Sequence, residues 1–193
     1  MATPEQRPHL NIRPAREDDA PALREICNDA VEDGLATFDS GLRSIEDQKR
    51  LIAAAGQDAR RLLLVAEVRN LACGFVSIEA YEERLHNGEM AEIVIFVRRS
   101  FRSYGVGRQL MRVAQTEAGT LGYRKLIGRV LSDNKDSLRS AKPPDGGWWV
   151  CTKDMPGMAA VCGMLPLLSC YFRRFLEPNN YGDLEWMTLP TWN

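Results

Sequence analysis

Glu92-Ile93-Val94-Ile95-Phe96-Val97-Arg98-Arg99-Ser100-Phe101-Arg102-Ser103-Tyr104-Gly105-Val106-Gly107 decides how the rest of the chain is read. The apolar run from Ile93 to Val97 has the composition of a buried strand. After Gly105-Val106-Gly107, apolar residues return at Leu110, Met111, Val113, Ala114 and Ala118, which is helical spacing. A strand, a glycine turn and a helix start together form an anion site, because glycine lets backbone N–H groups approach a phosphate and the helix dipole adds partial positive charge. Arg98, Arg99, Arg102, Arg108 and Arg112 are expected to add charge. The expected ligand carries a phosphate.

Two nucleotide motifs are excluded. No Gly-x-x-x-x-Gly-Lys-Ser/Thr run occurs, so the turn is not a P-loop. Leu110 stands where a dinucleotide fingerprint requires its third glycine, and the strand lies far along the chain. The pattern Arg-x-x-Gly-x-Gly after a strand instead resembles the coenzyme A pyrophosphate loop of the GNAT acetyltransferase superfamily.

The flanking sequence agrees with that resemblance. Leu10-Asn11-Ile12-Arg13 is a short strand, and Ala20, Leu23, Ile26, Cys27, Ala30 and Val31 mark an amphipathic helix ending near Gly34. Ser44 and Asp47 have the spacing of a helix cap. Residues 62–66 and 74–78 are consecutive strands with Arg69-Asn70 between them, and Lys125 to Leu131 is a fifth strand. The order β-α-α-β-β-β-α-β-α implies an α+β fold with a mixed central sheet flanked by helices, which is the GNAT order. Ile12-Arg13-Pro14-Ala15, Asn28-Asp29-Ala30, Ala36-Thr37-Phe38 and the spacing of Glu92 to Gly105 resemble the branch that acetylates phosphinothricin and amino acids.

That resemblance implies acetyl-CoA as co-substrate and roles for particular residues. Glu92 would be the general base, although without the resemblance it reads as an ordinary strand-end carboxylate. Phe96 and Val97 would pair with the pantetheine arm and hold the oxyanion through backbone, while also packing in the core. Arg102, Ser103, Tyr104, Gly105, Val106, Gly107 and Arg108 would hold the pyrophosphate. Asn134 and Ser137 would meet pantetheine, with a helix-capping role for Asn134 equally open. Thr37, Phe38 and Tyr81 would line the acceptor pocket, where Phe38 is also readable as a staple onto the core. A small amino acid or a toxic analogue is the implied acceptor, and a homodimer contact is implied with it.

Composition narrows the remaining classes. With 193 residues, 45% hydrophobic and 26% charged, the chain is expected to build a globular core, and a net charge of −1 gives no bulk attraction for nucleic acid. The polar start, Met1 to His9, does not have the form of a secretory signal, and no apolar run approaches the about twenty residues of a membrane span, so a cytoplasmic protein is expected. Cys27, Cys73, Cys151, Cys162 and Cys170 lack metal-ligand spacing and read as reduced thiols; no metal is expected.

The resemblance runs from Leu10 to Arg139 and then stops. We therefore divide the chain into a core, residues 1–139, and an atypical tail, residues 140–193. All four tryptophans, three of five cysteines and six of ten prolines lie in the tail. One explanation is a shifted reading frame near the Arg139 codon. Tryptophan has a single codon, so joining the third base of each codon to the next two across Trp148-Trp149-Val150-Cys151-Thr152 forces Val, Gly, an apolar residue, then His or Tyr. That is the strand this branch would show at that distance from Asn134. The other explanation is a native, specialised tail. On either, the family's closing strands are expected to be missing and catalysis impaired, so that a non-catalytic core binding coenzyme A is the alternative function.

Overall fold

The computed structural model describes residues 10–35, 41–81, 88–131, 134–140, 148–152 and 158–164. Strands β1 (Asn11–Pro14), β2 (Leu62–Val68), β3 (Leu71–Ala80), β4 (Met90–Val97), β5 (Lys125–Leu131), β6 (Trp148–Thr152) and β7 (Met158–Met164) form one sheet in the order β1-β2-β3-β4-β5-β7-β6. Every neighbouring pair is antiparallel except β4 with β5. Helices α1 (Ala20–Glu32), α2 (Ile45–Gln57), α3 (Val106–Thr120) and α4 (Lys135–Ser140) complete the fold. The α+β fold with a mixed sheet stands as expected.

Period-two alternation divides the strands between two cores. Leu64, Val76, Ile78, Ala91 and Ile93 meet Val106, Leu110, Ala114 and Ala118 of α3, with Tyr123 and Leu126. The opposite face, Leu63, Val65 and Phe75, meets Leu23, Ile26 and Cys27 of α1. Gly74 on β3 sets how close α3 can come: a Cβ there would lie 2.8 Å from the Phe96 carbonyl oxygen and 3.2 Å from both Val106 and Leu110. The first turn of α3 is therefore seated directly on the sheet.

Local chemistry sets the element boundaries. Arg69 and Asn70 both have positive φ, 50° and 65°, as a tight hairpin turn requires. Ser44 Oγ accepts from the Asp47 N–H at 3.1 Å while an Asp47 carboxylate oxygen accepts from the Ser44 N–H at 2.8 Å, closing a reciprocal cap. Arg13 reaches from β1 to both Asp19 oxygens at 2.8 and 2.9 Å and to Glu67 at 3.0 Å, tying the sheet edge to the entry of α1.

The tail gives a correction. The closing strands were expected to be missing, yet β7 pairs along the full length of β5 and β6 pairs with β7. The sheet continues because the last strand of the core offers an open edge, and backbone pairing is indifferent to the tail's unusual side chains.

Candidate functional site

The glycine turn lies between β4 and α3. Ser103 and Gly105 have φ of 67° and 85°, which brings the backbone round sharply, and Val106 opens the helix. Among the described residues, no side chain caps this N-terminus. Gly105 needs glycine for its φ, but Gly107 does not: a Cβ there would meet Val97 at an ordinary 3.6 Å. Packing among the described residues thus gives no reason for glycine at 107. Close approach of a ligand to the backbone does, so the turn fits a pyrophosphate group. Val106 is 1% exposed, so only its backbone is available. Tyr104 and Arg108 are exposed.

The arginines divide differently from the sequence reading, which assigned five of them to phosphate. Arg98 donates to the Ala72 carbonyl at 3.0 Å and pairs with Glu25 at 3.1 Å. Arg99 pairs with Asp33 at 2.8 Å and Glu32 at 3.3 Å, and its N–H donates to Asp29 at 3.1 Å. Arg102 pairs with Asp33 and donates to the Val97 carbonyl at 3.2 Å. These three arginines fasten the turn to α1, so their charge is largely answered by that helix. Arg99, then Arg102, holds the Asp33 carboxyl below its ordinary range. Arg108 and Arg112 lie on α3 itself.

The second part is the opening between β4 and β5. Their parallel pairing covers only Met90 with Lys125, Ala91 with Leu126 and Glu92 with Ile127. Past Glu92 the strands part, although β4 continues to Val97 and β5 to Leu131. Glu92 therefore stands at the apex of a V. Its carboxylate accepts two hydrogen bonds from Arg129, one from Nε at 2.8 Å and one from Nη2. The Glu92 side chain is 17% exposed and that of Arg129 36%. Glu79 lies directly across from Glu92 on β3 and pairs with Arg61 at 3.4 Å. Glu92 raises the Arg129 pKa by hydrogen bonding, against the effect of burial, and the charges of Glu92, Tyr81 and Glu79 add to the rise.

Other candidates lie around this opening. Phe96 packs on Phe75 with ring centroids 5.4 Å apart. Phe96 and Val97 pair with β3 on one side, leaving the other edge of β4 turned toward the opening. The Asn134 side-chain oxygen accepts from the Ser137 N–H at 3.0 Å, so Asn134 caps α4, and this use leaves the Nδ2 donor outside the cap. Tyr81 follows β3, its N–H donating to the Met90 carbonyl at 3.0 Å. Thr37 and Phe38 lie outside the described residues.

Sequence reasoning missed two participants. Arg129 follows Ile127 by two residues and so shares its face, a signal available from alternation once the β4–β5 register is known. Asp33, beside the helix end expected near Gly34, was given no role by the sequence.

The model of the acetyltransferase (GNAT) domain matches residues 9–143. The chain belongs to the GNAT acetyltransferase family. Among its relatives, YwnH of Bacillus subtilis, which carries a phosphinothricin acetyltransferase name, is 28% identical over 155 residues, covering 80% of this chain and 92% of that protein. A ribosomal-protein-alanine N-acetyltransferase from Brucella melitensis superposes with a TM-score of 0.70 at 26% identity, covering 80% of this chain and 99% of that one. A phosphinothricin acetyltransferase from Sinorhizobium meliloti in complex with acetyl-CoA shares the fold, with a TM-score of 0.70 at 19% identity and coverage of 81% and 88%. No helix among the described residues of this GNAT chain is long and apolar enough to cross a membrane.

Proposed function

We propose that this GNAT protein transfers an acetyl group from acetyl-CoA to the α-amine of a small amino acid or a phosphinothricin-like toxin in the cytoplasm. The observation that carries the reading is the parting of β4 and β5 at Glu92, on the strand that leads into the glycine turn. Bound acetyl-CoA supplies the thioester. The N–H groups of Gly105, Val106, Gly107 and Arg108 hold its pyrophosphate, with Arg102, Ser103 and Tyr104 shaping the turn. The open edge of Phe96 and Val97 pairs with the pantetheine arm as an added strand would, and Asn134 and Ser137 flank it. Tyr81 borders the amine, and the family resemblance assigns Thr37 and Phe38 the same role.

Glu92 takes the ammonium proton, freeing the nitrogen lone pair to form the C–N bond. A Val97 N–H stabilises the carbonyl oxygen as charge develops there. The C–S bond then breaks, and the departing thiolate takes a proton from solvent. Acetyl-CoA titration of wild type and Glu92→Gln, followed by turnover measurements, tests this scheme. Equal affinities with a turnover loss of about 10²- to 10⁴-fold support Glu92 as the base; equal turnover contradicts it.

A second reading is favoured by the Trp148-Trp149 decoding: a chain whose last third is translated in a shifted frame and whose catalysis is impaired. It divides the chain at about residue 139. DNA sequenced across the junction is expected to spell Ala-Thr-Gly-Trp and then the forced Val-Gly strand in the alternative frame. Restoring that frame is expected to raise turnover. An alternative frame interrupted by stop codons, or no gain on restoration, rejects this reading.

A further inference from the structure

We propose that Arg102 is a positioning residue for the acetyl group: by holding the Val97 carbonyl, it leaves the open edge of β4 with an N–H donor and no free acceptor beside the acetyl oxygen. The inference rests on the reading of the Val97 N–H as the oxyanion donor and names what keeps that donor in place.

Pairing fixes which way the backbone points. Val97 lies opposite Gly74, and the next N–H along β4, that of Arg98, donates to the Cys73 carbonyl at 2.9 Å. In an antiparallel ladder that bond makes Gly74 and Val97 a non-hydrogen-bonded pair. Both backbone groups of Val97 therefore turn away from β3, toward the side where β5 has stopped pairing. The N–H faces the opening. The carbonyl on the same edge is taken, because Arg102 Nε donates to it at 3.2 Å.

Local structure brings Arg102 to that position. A 3-10 turn over Arg99–Phe101 doubles the chain back, with the Phe101 N–H donating to the Arg98 carbonyl at 2.8 Å. The outer end of the guanidinium pairs with Asp33 at the end of α1. Its charge is answered there, and what it presents to Val97 is an N–H. The peptide joining Val97 to Arg98 is consequently held at both ends, its oxygen by Arg102 and its N–H by Cys73.

Acetyl transfer makes that restraint matter. As the amine nitrogen bonds to the thioester carbon, an electron pair moves onto the carbonyl oxygen, and it returns when the C–S bond breaks. A preorganised donor aimed at that oxygen lowers the barrier. A carbonyl with a free lone pair on the same edge would oppose the developing charge, and a hydrogen bond from a guanidinium removes it as an acceptor. This role differs from drawing in phosphate by charge: it acts on the acetyl group, which coenzyme A lacks.

The experiment measures calorimetric binding of acetyl-CoA and of coenzyme A to wild type, Arg102→Met and Arg102→Gln, beside thermal melts and acetyl transfer to phosphinothricin at saturating acetyl-CoA. The two ligands share every phosphate, so the ratio of their dissociation constants isolates the acetyl contact. Wild type is expected to prefer acetyl-CoA by about fivefold. Arg102→Met has no donor and should bring the ratio to within about twofold of one, with kcat lower by about tenfold or more. Arg102→Gln keeps a shorter N–H donor and should fall between the two; it decides by the same ratio if the melts show that Arg102→Met does not fold. A variant ratio equal to that of wild type overturns the proposal even where both affinities fall, because a loss common to the two ligands belongs to the phosphates or the fold. A saturated kcat equal to wild type overturns it too, and if phosphinothricin is not acetylated the ratio decides alone. A wild-type ratio of one would remove the Val97 donor reading and this proposal with it, whereas a preference that Arg102 does not affect removes this proposal alone.

Discussion

Two groups of arginine–carboxylate pairs lie at opposite ends of β4, and they have opposite surroundings. At the Val97 end, Arg99 and Arg102 join Asp29 and Asp33, binding the glycine turn to the end of α1 where both backbones are already fixed. At the Glu92 end, Arg129 bridges two strands that have ceased to pair. The pairs are chemically alike. What separates scaffold from site is whether the backbone around the pair is closed or open, because only an open backbone lets a ligand exchange with one partner. The turn therefore depends on backbone N–H groups for its ligand, and the V depends on side chains.

The sharpest test of that division is Gly107→Ala. Helical glycine is a poor former and the new Cβ meets only Val97 at 3.6 Å, so the melting temperature should hold or rise slightly. Acetyl-CoA affinity should fall about tenfold or more, because the Cβ stands where the ligand approaches the backbone. A calorimetric titration beside a thermal melt reads both, and unchanged affinity would break the comparison at its turn end.

Gly74→Ala probes the seat of α3. Its Cβ would press on a backbone carbonyl at 2.8 Å, so denaturant unfolding should show a loss of about 1–3 kcal/mol, with acetyl-CoA affinity falling as the turn shifts. Stability equal to wild type would mean that α3 is not seated on the sheet there.

Acid should act through Asp19. Its hydrogen bonds from Arg13 hold its carboxyl below the ordinary 3.8. A lowered folded value means the contribution is complete above 3.8 and is lost as pH falls through the folded value. Asp19→Asn should cost about 1–2 kcal/mol at neutral pH, a difference that shrinks below pH 4 in urea melts. A pH-independent difference would contradict this account of the pair. The smallest effect is expected at Asp33, which is exposed. Asp33→Asn should change turnover by no more than about twofold, because it loosens a scaffold contact and leaves the V untouched.

Sequence carried the backbone further than the side chains. Alternation and punctuation located the strand from Ile93 to Val97, the Arg69-Asn70 turn and the Ser44–Asp47 cap, since each is decided by residues close together in the chain. The Glu92–Arg129 pair was not legible, because it depends on a register between strands 37 residues apart. The carboxylate partners of the arginines near the turn were not legible for the same reason: Asp33 is 69 residues from Arg102, and only the fold brings them together. The closing strands were missed because their pairing is specified by the open edge of β5, while the tail's own residues resemble nothing expected there.

The most direct test is release of the coenzyme A thiol in the presence of phosphinothricin, followed across pH at equal acetyl-CoA occupancy for wild type and Glu92→Gln. The account predicts acceptor-dependent release by the wild type and a loss of about 10²- to 10⁴-fold in the variant. Release that is the same with and without acceptor, or the same in both proteins, would contradict it.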